Sequence, residues 1–113
     1  MPPLGDLERA VMDALWAAPE PMTAREVQDA LAERALATTT VLTVLGRLER
    51  KGIAARAKEG RAHRYRPTAS REDHIAELMR DVLDAAPDRG AALASFLGSV
   101  PPGDRSTLRD LLK

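Results

Sequence analysis

The apolar residues between positions 38 and 51 recur at helical spacing. They occupy positions i, i+3, i+4 and i+7, which is typical of a helix with one buried face: Val41, Val44, Leu45 and Leu48. The opposite face carries hydroxyls, a glycine and two guanidiniums but no acid: Thr39, Thr43, Gly46, Arg47 and Arg50. Gly52 follows two basic residues, as expected where a helix ends in a left-handed conformation. The pattern predicts a helix over 38–51.

Two short extended segments follow this helix. Residues 53–57 and 62–65 flank a four-residue turn, 58–61, that contains Gly60. Pro67 is expected to close the second strand, because proline has no N–H to donate to a β-ladder. A helix that leads directly into a basic hairpin is typical of the recognition helix and wing of a winged helix-turn-helix.

A first helix is predicted between Gly5, a tolerable N-cap, and Pro19, which cannot continue it. Its apolar stripe lies at helical spacing: Leu7, Ala10, Val11, Ala14 and Leu15. Trp16 is the only tryptophan, and two interpretations are open for it. It is either a platform for a ligand or a buried anchor of the core, and its place beside the stripe favours the anchor.

A second helix is predicted to start at Thr23, where Thr23 and Glu26 form a capping box. Its apolar positions fade near residues 34–35, and a short connection leads to the helix over 38–51. Three helices followed by a hairpin, with the second and third joined by a tight turn, is the order of a winged helix.

Residues 70–113 contain three further helical patterns, separated at Pro87 and at residues 101–103. Their large apolar side chains are Ile75, Leu78, Met79, Val82, Leu83, Leu93, Phe96, Leu97, Leu108, Leu111 and Leu112. A segment this short buries little surface alone, since domains below about 40–60 residues are marginal. We therefore expect these side chains to pair two copies in a C2 homodimer. The predicted fold class is mainly α with a small β-hairpin: a winged helix-turn-helix over 4–67, then a helical dimerisation domain over 70–113.

The basic and acidic side chains are distributed unevenly along the chain. The 113 residues have a formal net charge of zero. Residues 36–66 nevertheless carry eight basic and two acidic side chains, whereas the segments on either side are acidic. Positive charge gathered on one predicted helix and hairpin indicates a docking surface for a polyanion. A solvated face with no partner is the competing interpretation.

Several classes of protein are disfavoured. The chain has no cysteine, which excludes disulfides and thiolate metal sites. It has no apolar run near 18 residues and no signal-peptide pattern, so we expect a cytoplasmic protein without membrane insertion. His63 and His74 lack the spacing of metal ligands, and no nucleophile–base pair or glycine-rich phosphate loop is present. We expect neither an enzyme nor a cofactor.

The candidate DNA contacts lie on the two predicted helices of the helix-turn-helix and on the wing: Thr23, Arg25, Thr38, Thr39, Thr40, Thr43, Gly46, Arg47, Arg50, Lys51, Lys58, Arg61, His63 and Arg64. Among the three consecutive threonines, we expect one to cap the helix and the others to contact DNA. Arg47 is either a phosphate contact or an ion-pair partner of Glu49 or a more distant acid.

These residues carry a family resemblance over about residues 4–67. The chain resembles the BlaI/MecI penicillinase-repressor family in its motifs Leu7-Glu8, Val11-Met12, Leu15-Trp16, Thr23, Glu26-Val27, Thr40-Val41, Thr43, Leu45, Arg47-Leu48, Lys51-Gly52, Glu59-Gly60-Arg61 and Tyr65-Arg66-Pro67. The resemblance implies a winged helix with a small helical dimerisation domain. It also implies a homodimer that binds an inverted-repeat operator in double-stranded DNA and represses β-lactamase or related genes.

The family also implies a membrane-bound sensor protease as a partner, with derepression by cleavage before a phenylalanine. The matching bond is Ser95–Phe96, although Ser95 stands where the best-known members have asparagine. A core position is the competing interpretation of Phe96. The chain departs from the family at Gly5 and Ala37, which replace capping serines, and at Gly46, where a bulkier side chain is common. Related copper-responsive repressors carry a cysteine pair that is absent here.

One alternative function stays open at this point. A winged helix can serve as a protein-interaction module, in which the basic face is incidental. The two functions differ in their response to salt, because log K for DNA falls by about 0.9 per log unit of salt for each phosphate neutralised.

Overall fold

The computed structural model describes residues 4–113. Its helices are α1 (Asp6–Ala17), α2 (Ala24–Ala30), α3 (Thr38–Arg50), α4 (Arg71–Asp84), α5 (Arg89–Ser99) and α6 (Pro102–Leu111). A short 3-10 turn, Ala32–Arg34, follows α2. The strands are β1 (Met22–Thr23), β2 (Ala54–Glu59) and β3 (Ala62–Pro67). The predicted fold class, mainly α with a small β element, is confirmed.

The chain forms two compact units, and the boundary falls inside α4. The first unit ends at Leu78 and the second is Met79–Lys113. The first unit therefore holds α1 to α3, the sheet and the first two turns of α4. The second unit holds the rest of α4 with α5 and α6.

The core of the first unit is formed by the apolar stripes of its three N-terminal helices and by the sheet. Val11, Met12, Leu45 and Leu48 are completely buried, and Tyr65 of β3 closes the core from the sheet side. The buried face of α1 is rotated by part of a turn from the predicted stripe. Met12 lies at its centre, whereas Leu7, Ala10 and Ala14 pack only partly buried against it.

The sheet is antiparallel with the order β1-β3-β2. Strands β2 and β3 pair from Ala54↔Pro67 to Glu59↔Ala62, and Met22 of β1 pairs with Tyr65. The predicted four-residue turn is wrong, because both strands run further and only Gly60 and Arg61 form the loop. Gly60 has a φ of +62°, the value that a type II′ hairpin turn requires at its first position.

The N-caps of α2 and α3 differ in their hydrogen bonding. The Thr23 hydroxyl accepts from the Glu26 N–H at 3.1 Å, and the Thr23 N–H donates to Glu26 Oε1 at 2.9 Å. This capping box confirms the predicted start of α2. The prediction that a threonine caps α3 is wrong, since its N-cap is Ala37 and has no side-chain hydrogen bond.

Trp16 anchors the beginning of α4 to α1. Its Nε1 donates to the Ala69 carbonyl at 3.0 Å, its ring lies tilted against His74, and the Arg71 guanidinium lies 5.4 Å from the ring centroid. Arg71 also pairs with Asp13 of α1. The ring is half-buried rather than fully buried.

The second unit consists of short helices with defined N-termini and has few buried side chains. The Asp88 carboxylate caps α5 by accepting from the Ala91 N–H at 3.0 Å, and α6 begins with Pro102 at its first position. Within Met79–Lys113, the described large apolar side chains are mostly exposed.

Candidate nucleic-acid interface

The buried stripe of α3 decides which of its side chains face outward. Val41, Val44, Leu45 and Leu48 are at most 2% exposed, so the helix is fixed in rotation about its axis. Thr38, Thr39, Thr43, Arg47 and Arg50 are consequently exposed, and Thr40 and Gly46 are half-buried. The structure thus brings together on one surface the residues of α3 that were predicted as DNA contacts.

The N-terminal half of this surface is lined by hydroxyls. Thr38 Oγ1 donates to Gln28 Oε1 at 2.8 Å, while Gln28 Nε2 donates to the Leu36 carbonyl. Thr43 Oγ1 donates to the Thr39 carbonyl at 2.9 Å, one turn earlier. The proton of the Thr43 hydroxyl is therefore used in this hydrogen bond, and the oxygen lone pairs remain available to accept hydrogen bonds.

Beside these hydroxyls lies a shallow cavity of about 220 Å³ lined by Leu7, Thr39, Thr40, Thr43, Val44 and Arg47. It is smaller than the roughly 300–1,000 Å³ typical of small-molecule sites. It is a groove on a binding face rather than a ligand pocket.

The C-terminal half of the surface is cationic. Within residues 4–113, neither Arg47 nor Arg50 has a carboxylate partner, so Arg47 does not pair with Glu49. Glu49 instead pairs with Arg56 of β2 at 3.3 Å, which ties the start of the wing to α3. The Arg50 guanidinium lies over Gly46, where a Cβ would sit 3.5 Å from its Nη1.

Lys51 was predicted as a DNA contact, but its ammonium is engaged inside the protein. It donates to both carboxylate oxygens of Glu8 in α1, at 2.9 and 2.8 Å. The Lys51 side chain is 29% exposed and that of Glu8 is 13% exposed. The hydrogen bond from Lys51 lowers the pKa of Glu8 below its ordinary value of 4.5, and the Gly5 N–H and the charge of Arg47 act in the same direction.

The wing presents its tip to solvent. Lys58, Arg61 and His63 are exposed, and Lys58 and His63 are cross-strand partners that share one side of the sheet. Within the described chain, Lys58 and Arg61 have no carboxylate partner. These two cations, together with Arg47 and Arg50, form an unpaired positive surface on α3 and the wing.

Arg64, also predicted as a DNA contact, is engaged at the base of the wing. Its guanidinium pairs with Glu26 of α2 at 2.9 Å and Glu59 of β2 at 3.0 Å, and it donates to the Pro21 carbonyl. The Thr23 N–H, the Thr23 hydroxyl and the charge of Arg64 lower the pKa of Glu26. Sequence reasoning missed the contacts with Glu26 and Pro21 because these partners lie 38 and 43 residues away along the chain.

The remaining predicted contacts lie at the start of α2. Thr23 is half-buried as the N-cap, and Arg25 is exposed without a carboxylate partner among residues 4–113.

Sequence reasoning missed Leu42, an exposed apolar residue on the outward face of α3. The signal was available, because Leu42 is the one large apolar residue of this helix outside the buried stripe.

The side chains predicted to form a dimer lie on α4, α5 and α6, with Leu112 at the C-cap of α6. Eight are exposed: Ile75, Met79, Val82, Leu93, Phe96, Leu97, Leu111 and Leu112. Leu78, Leu83 and Leu108 are half-buried. Ser95 and Phe96 are both exposed but lie inside α5, and Phe96 is therefore not a core residue of its unit.

Two further features bear on function. Among residues 4–113, no group of histidine and carboxylate side chains is arranged to hold a metal ion. No helix of that part of the chain has the length and apolar character needed to cross a membrane.

Comparison with known proteins identifies the relatives. The family model described as penicillinase repressor matches residues 4–113. The chain is 49% identical to the transcriptional regulator BlaI of Mycobacterium tuberculosis strain H37Rv, over 96% of this chain and 82% of that protein. The BlaI of strain CDC 1551 matches with the same identity and coverage.

Solved structures show the same fold at lower identity. A MarR family protein from Bacillus stearothermophilus has a TM-score of 0.54 at 22% identity, covering 98% of this chain and 71% of that chain. Streptococcus pneumoniae FabT, solved in complex with DNA, has a TM-score of 0.52 at 19% identity, covering 96% and 71%. The predicted winged helix is confirmed.

The hydroxyl-lined and cationic face of α3, the wing and the family match all indicate a protein that binds DNA. Because the matched family consists of repressors, the expectation that the protein is not an enzyme is confirmed. The chain belongs to the penicillinase repressor family, and it is a DNA-binding transcriptional repressor.

Proposed function

We propose that this repressor binds a pseudo-palindromic operator as a homodimer, with α3 in the major groove and the wing on the neighbouring phosphates. The observation that carries the proposal is the face of α3, where exposed hydroxyls adjoin two arginines that lack carboxylate partners in the described chain. Hydroxyls reach base edges and phosphates, whereas guanidiniums bind phosphates or guanine.

The contacts divide into two groups by chemistry. The unpaired cations Lys58 and Arg61 at the wing tip neutralise phosphates and set affinity without reading sequence. Thr39 and Thr43 read bases, and the Thr43 hydroxyl acts as an acceptor because its proton is given to the Thr39 carbonyl. Lys51 and Arg64 hold α3 and the wing in place through Glu8 and Glu26.

Homodimerisation rests on the exposed apolar side chains of α4 to α6. In such a dimer, each copy would supply one α3 helix to one half-site of the operator. The half-sites would then be separated by about one helical turn, roughly 34–36 Å, or a multiple of it. The proposed targets are β-lactamase-like, cell-envelope or stress genes, and the match to a family described as penicillinase repressor supports the first of these.

Derepression by cleavage at Ser95–Phe96 would need an additional step. Both residues are exposed, but the bond lies within the helix Arg89–Ser99. A protease binds its substrate in extended form, so α5 would have to unwind locally before a sensor protease could cut it.

The proposal is tested by selecting genomic fragments that the protein binds and measuring their affinity as a function of salt. We expect a palindromic half-site and a steep fall of log K with log salt. Arg61→Ala should weaken binding to all duplexes about equally and reduce the salt slope by about 1.8, because one phosphate contact is lost in each half-site.

Thr43→Val is the matched comparison, because it keeps the shape of the side chain and replaces the hydroxyl with a methyl group. It should relax sequence choice at one position by about 1–3 kcal/mol while leaving the salt slope unchanged. Binding that is insensitive to salt, or equal loss of sequence choice in both variants, would contradict this assignment of roles.

A further inference from the structure

Leu42 stands apart from the other large apolar side chains of the first unit. It is 46% exposed, although its neighbour Val41 is completely buried. Among the described residues up to Leu78, Ile75 is the other exposed large apolar side chain, and it belongs to the apolar row of α4. A single exposed leucine is common on protein surfaces. Its position on α3 makes this one informative.

The surroundings of Leu42 leave it projecting from the helix. Residues four before and four after it are on its side of α3, and these are Thr38 and Gly46. The Thr38 hydroxyl is turned to Gln28, and Gly46 has no side chain. Side chains on a helix lean toward its N-terminus, so Leu42 covers the turn that contains Thr38 and Thr39.

The exposed face of α3 before Arg47 has no side chain that reads a base by a bidentate contact. Arginine, lysine, asparagine and glutamine make such contacts with guanine or adenine, and none of them occurs between Thr38 and Gly46. The described surface of this half of the helix offers threonine hydroxyls and one large apolar group. The C5-methyl of thymine is the apolar feature of the major groove that such a group recognises.

We propose that Leu42 is a specificity-determining residue that reads a thymine methyl group in each half-site by apolar contact. The inference rests on the proposed function, since it requires α3 to lie in the major groove. It assigns to the N-terminal half of α3 a preference for thymine that the hydroxyls alone do not supply.

The experiment removes the methyl group and nothing else. Duplexes are selected from a random-sequence library with the whole chain, and each thymine of the best duplex is then replaced in turn by uracil. Burial of one methyl group corresponds to about fourfold in affinity. We expect at least one position per half-site where uracil raises Kd by about this factor, and about 15-fold when both half-sites are changed.

Variants connect that effect to Leu42. Leu42→Ala should remove the penalty for uracil at this position and leave the other positions unchanged. Leu42→Met, which keeps an apolar side chain of similar size, should retain the penalty. Arg61→Ala is the control that weakens binding overall, and it should also retain the penalty.

The possible failures are distinguishable. If no duplex is bound in a salt-sensitive way, the proposed function fails and the inference fails with it. If binding is salt-sensitive but no uracil position matters, or if the penalty survives in Leu42→Ala, the role of Leu42 is overturned and the proposed function stands. Leu42→Met confirms that a loss in Leu42→Ala reports the apolar contact rather than a disturbed helix.

Discussion

At the scale of single residues, the pair between Lys51 and Glu8 explains how α3 is held at a fixed angle to α1. Glu8 accepts twice from Lys51 and also caps the Gly5 N–H at 3.2 Å. Both side chains are largely withdrawn from solvent, which strengthens their attraction compared with an exposed pair. The contact between Lys51 and Glu8 therefore fixes the C-terminal end of α3 against α1.

The pair should make stability depend on pH in one direction. Because the pKa of Glu8 is lower in the folded protein than its ordinary value of 4.5, its contribution is complete above about pH 4.5. It is lost as the pH falls through the lower, folded-state pKa. We expect Glu8→Gln to reduce the free energy of unfolding by about 1 kcal/mol at pH 7. In urea titrations, that difference should disappear at low pH, where Glu8 is protonated.

The matched control is Asp6→Asn, which removes the pairing partner of Arg34. The Asp6 side chain is 86% exposed, so this variant should unfold like the parent at every pH. A difference between Glu8→Gln and the parent that is constant from pH 3 to pH 7 would show that the charge of Glu8 is not responsible.

His74 is a second residue whose environment predicts a measurable effect. It is buried in α4 beside Trp16, and its Nε2 has no hydrogen-bond partner in the described chain. An unsatisfied buried polar atom costs about 1–3 kcal/mol. We expect His74→Phe, which keeps a ring against Trp16, to raise the melting temperature in calorimetry. The same change at exposed His63 should leave it unaltered, and a lower melting temperature for His74→Phe would refute the explanation.

At the scale of elements, α3 begins without a side-chain cap. Its N-cap, Ala37, has the extended backbone typical of that position, with φ −70° and ψ 148°, but no side chain that can accept a hydrogen bond. Ala37→Ser would supply an acceptor for the N–H of Thr39 or Thr40. We expect a gain of about 0.5–1 kcal/mol in the free energy of unfolding, measured by urea titration. Ala37→Val also enlarges the side chain but has no oxygen, and an equal gain there would exclude capping as the cause.

Much of this element structure follows from local pattern. The stripe from Val41 to Leu48 predicted α3, and the capping box at Thr23 predicted α2, because each signal lies within one or two helical turns. The two-residue strand β1 has no pattern of its own and exists only because β3 lies beside it. Lys51, Arg64 and Trp16 find partners more than 35 residues away. Their roles depend on the folded arrangement, and local sequence patterns do not contain it.

At the scale of the whole molecule, the two units differ in how far their apolar side chains are buried. The first unit buries its stripes in a core, whereas the second leaves most of its large apolar side chains exposed within one chain. A surface of this kind is usually covered by a partner. We expect the protein to have the mass of two chains in light scattering at micromolar concentration, because a second copy offers a matching apolar surface.

Val82→Glu separates dimer formation from folding. The Val82 side chain is 71% exposed in the single chain, so a carboxylate there costs little in a folded monomer. In a dimer that covers α4, the same carboxylate would be buried without a partner, and the dimer should dissociate. Operator affinity should then fall by orders of magnitude, because two half-sites are no longer bound together.

Arg80→Ala makes the same change in net charge on the exposed surface of the same helix, and it should remain dimeric and bind the operator like the parent. Circular dichroism should show equal helix content in both variants, since neither side chain is in a core. If Val82→Glu kept the mass of two chains, α4 would lie outside the interface. The apolar side chains of α5 and α6 would then have to hold the two recognition helices together without it.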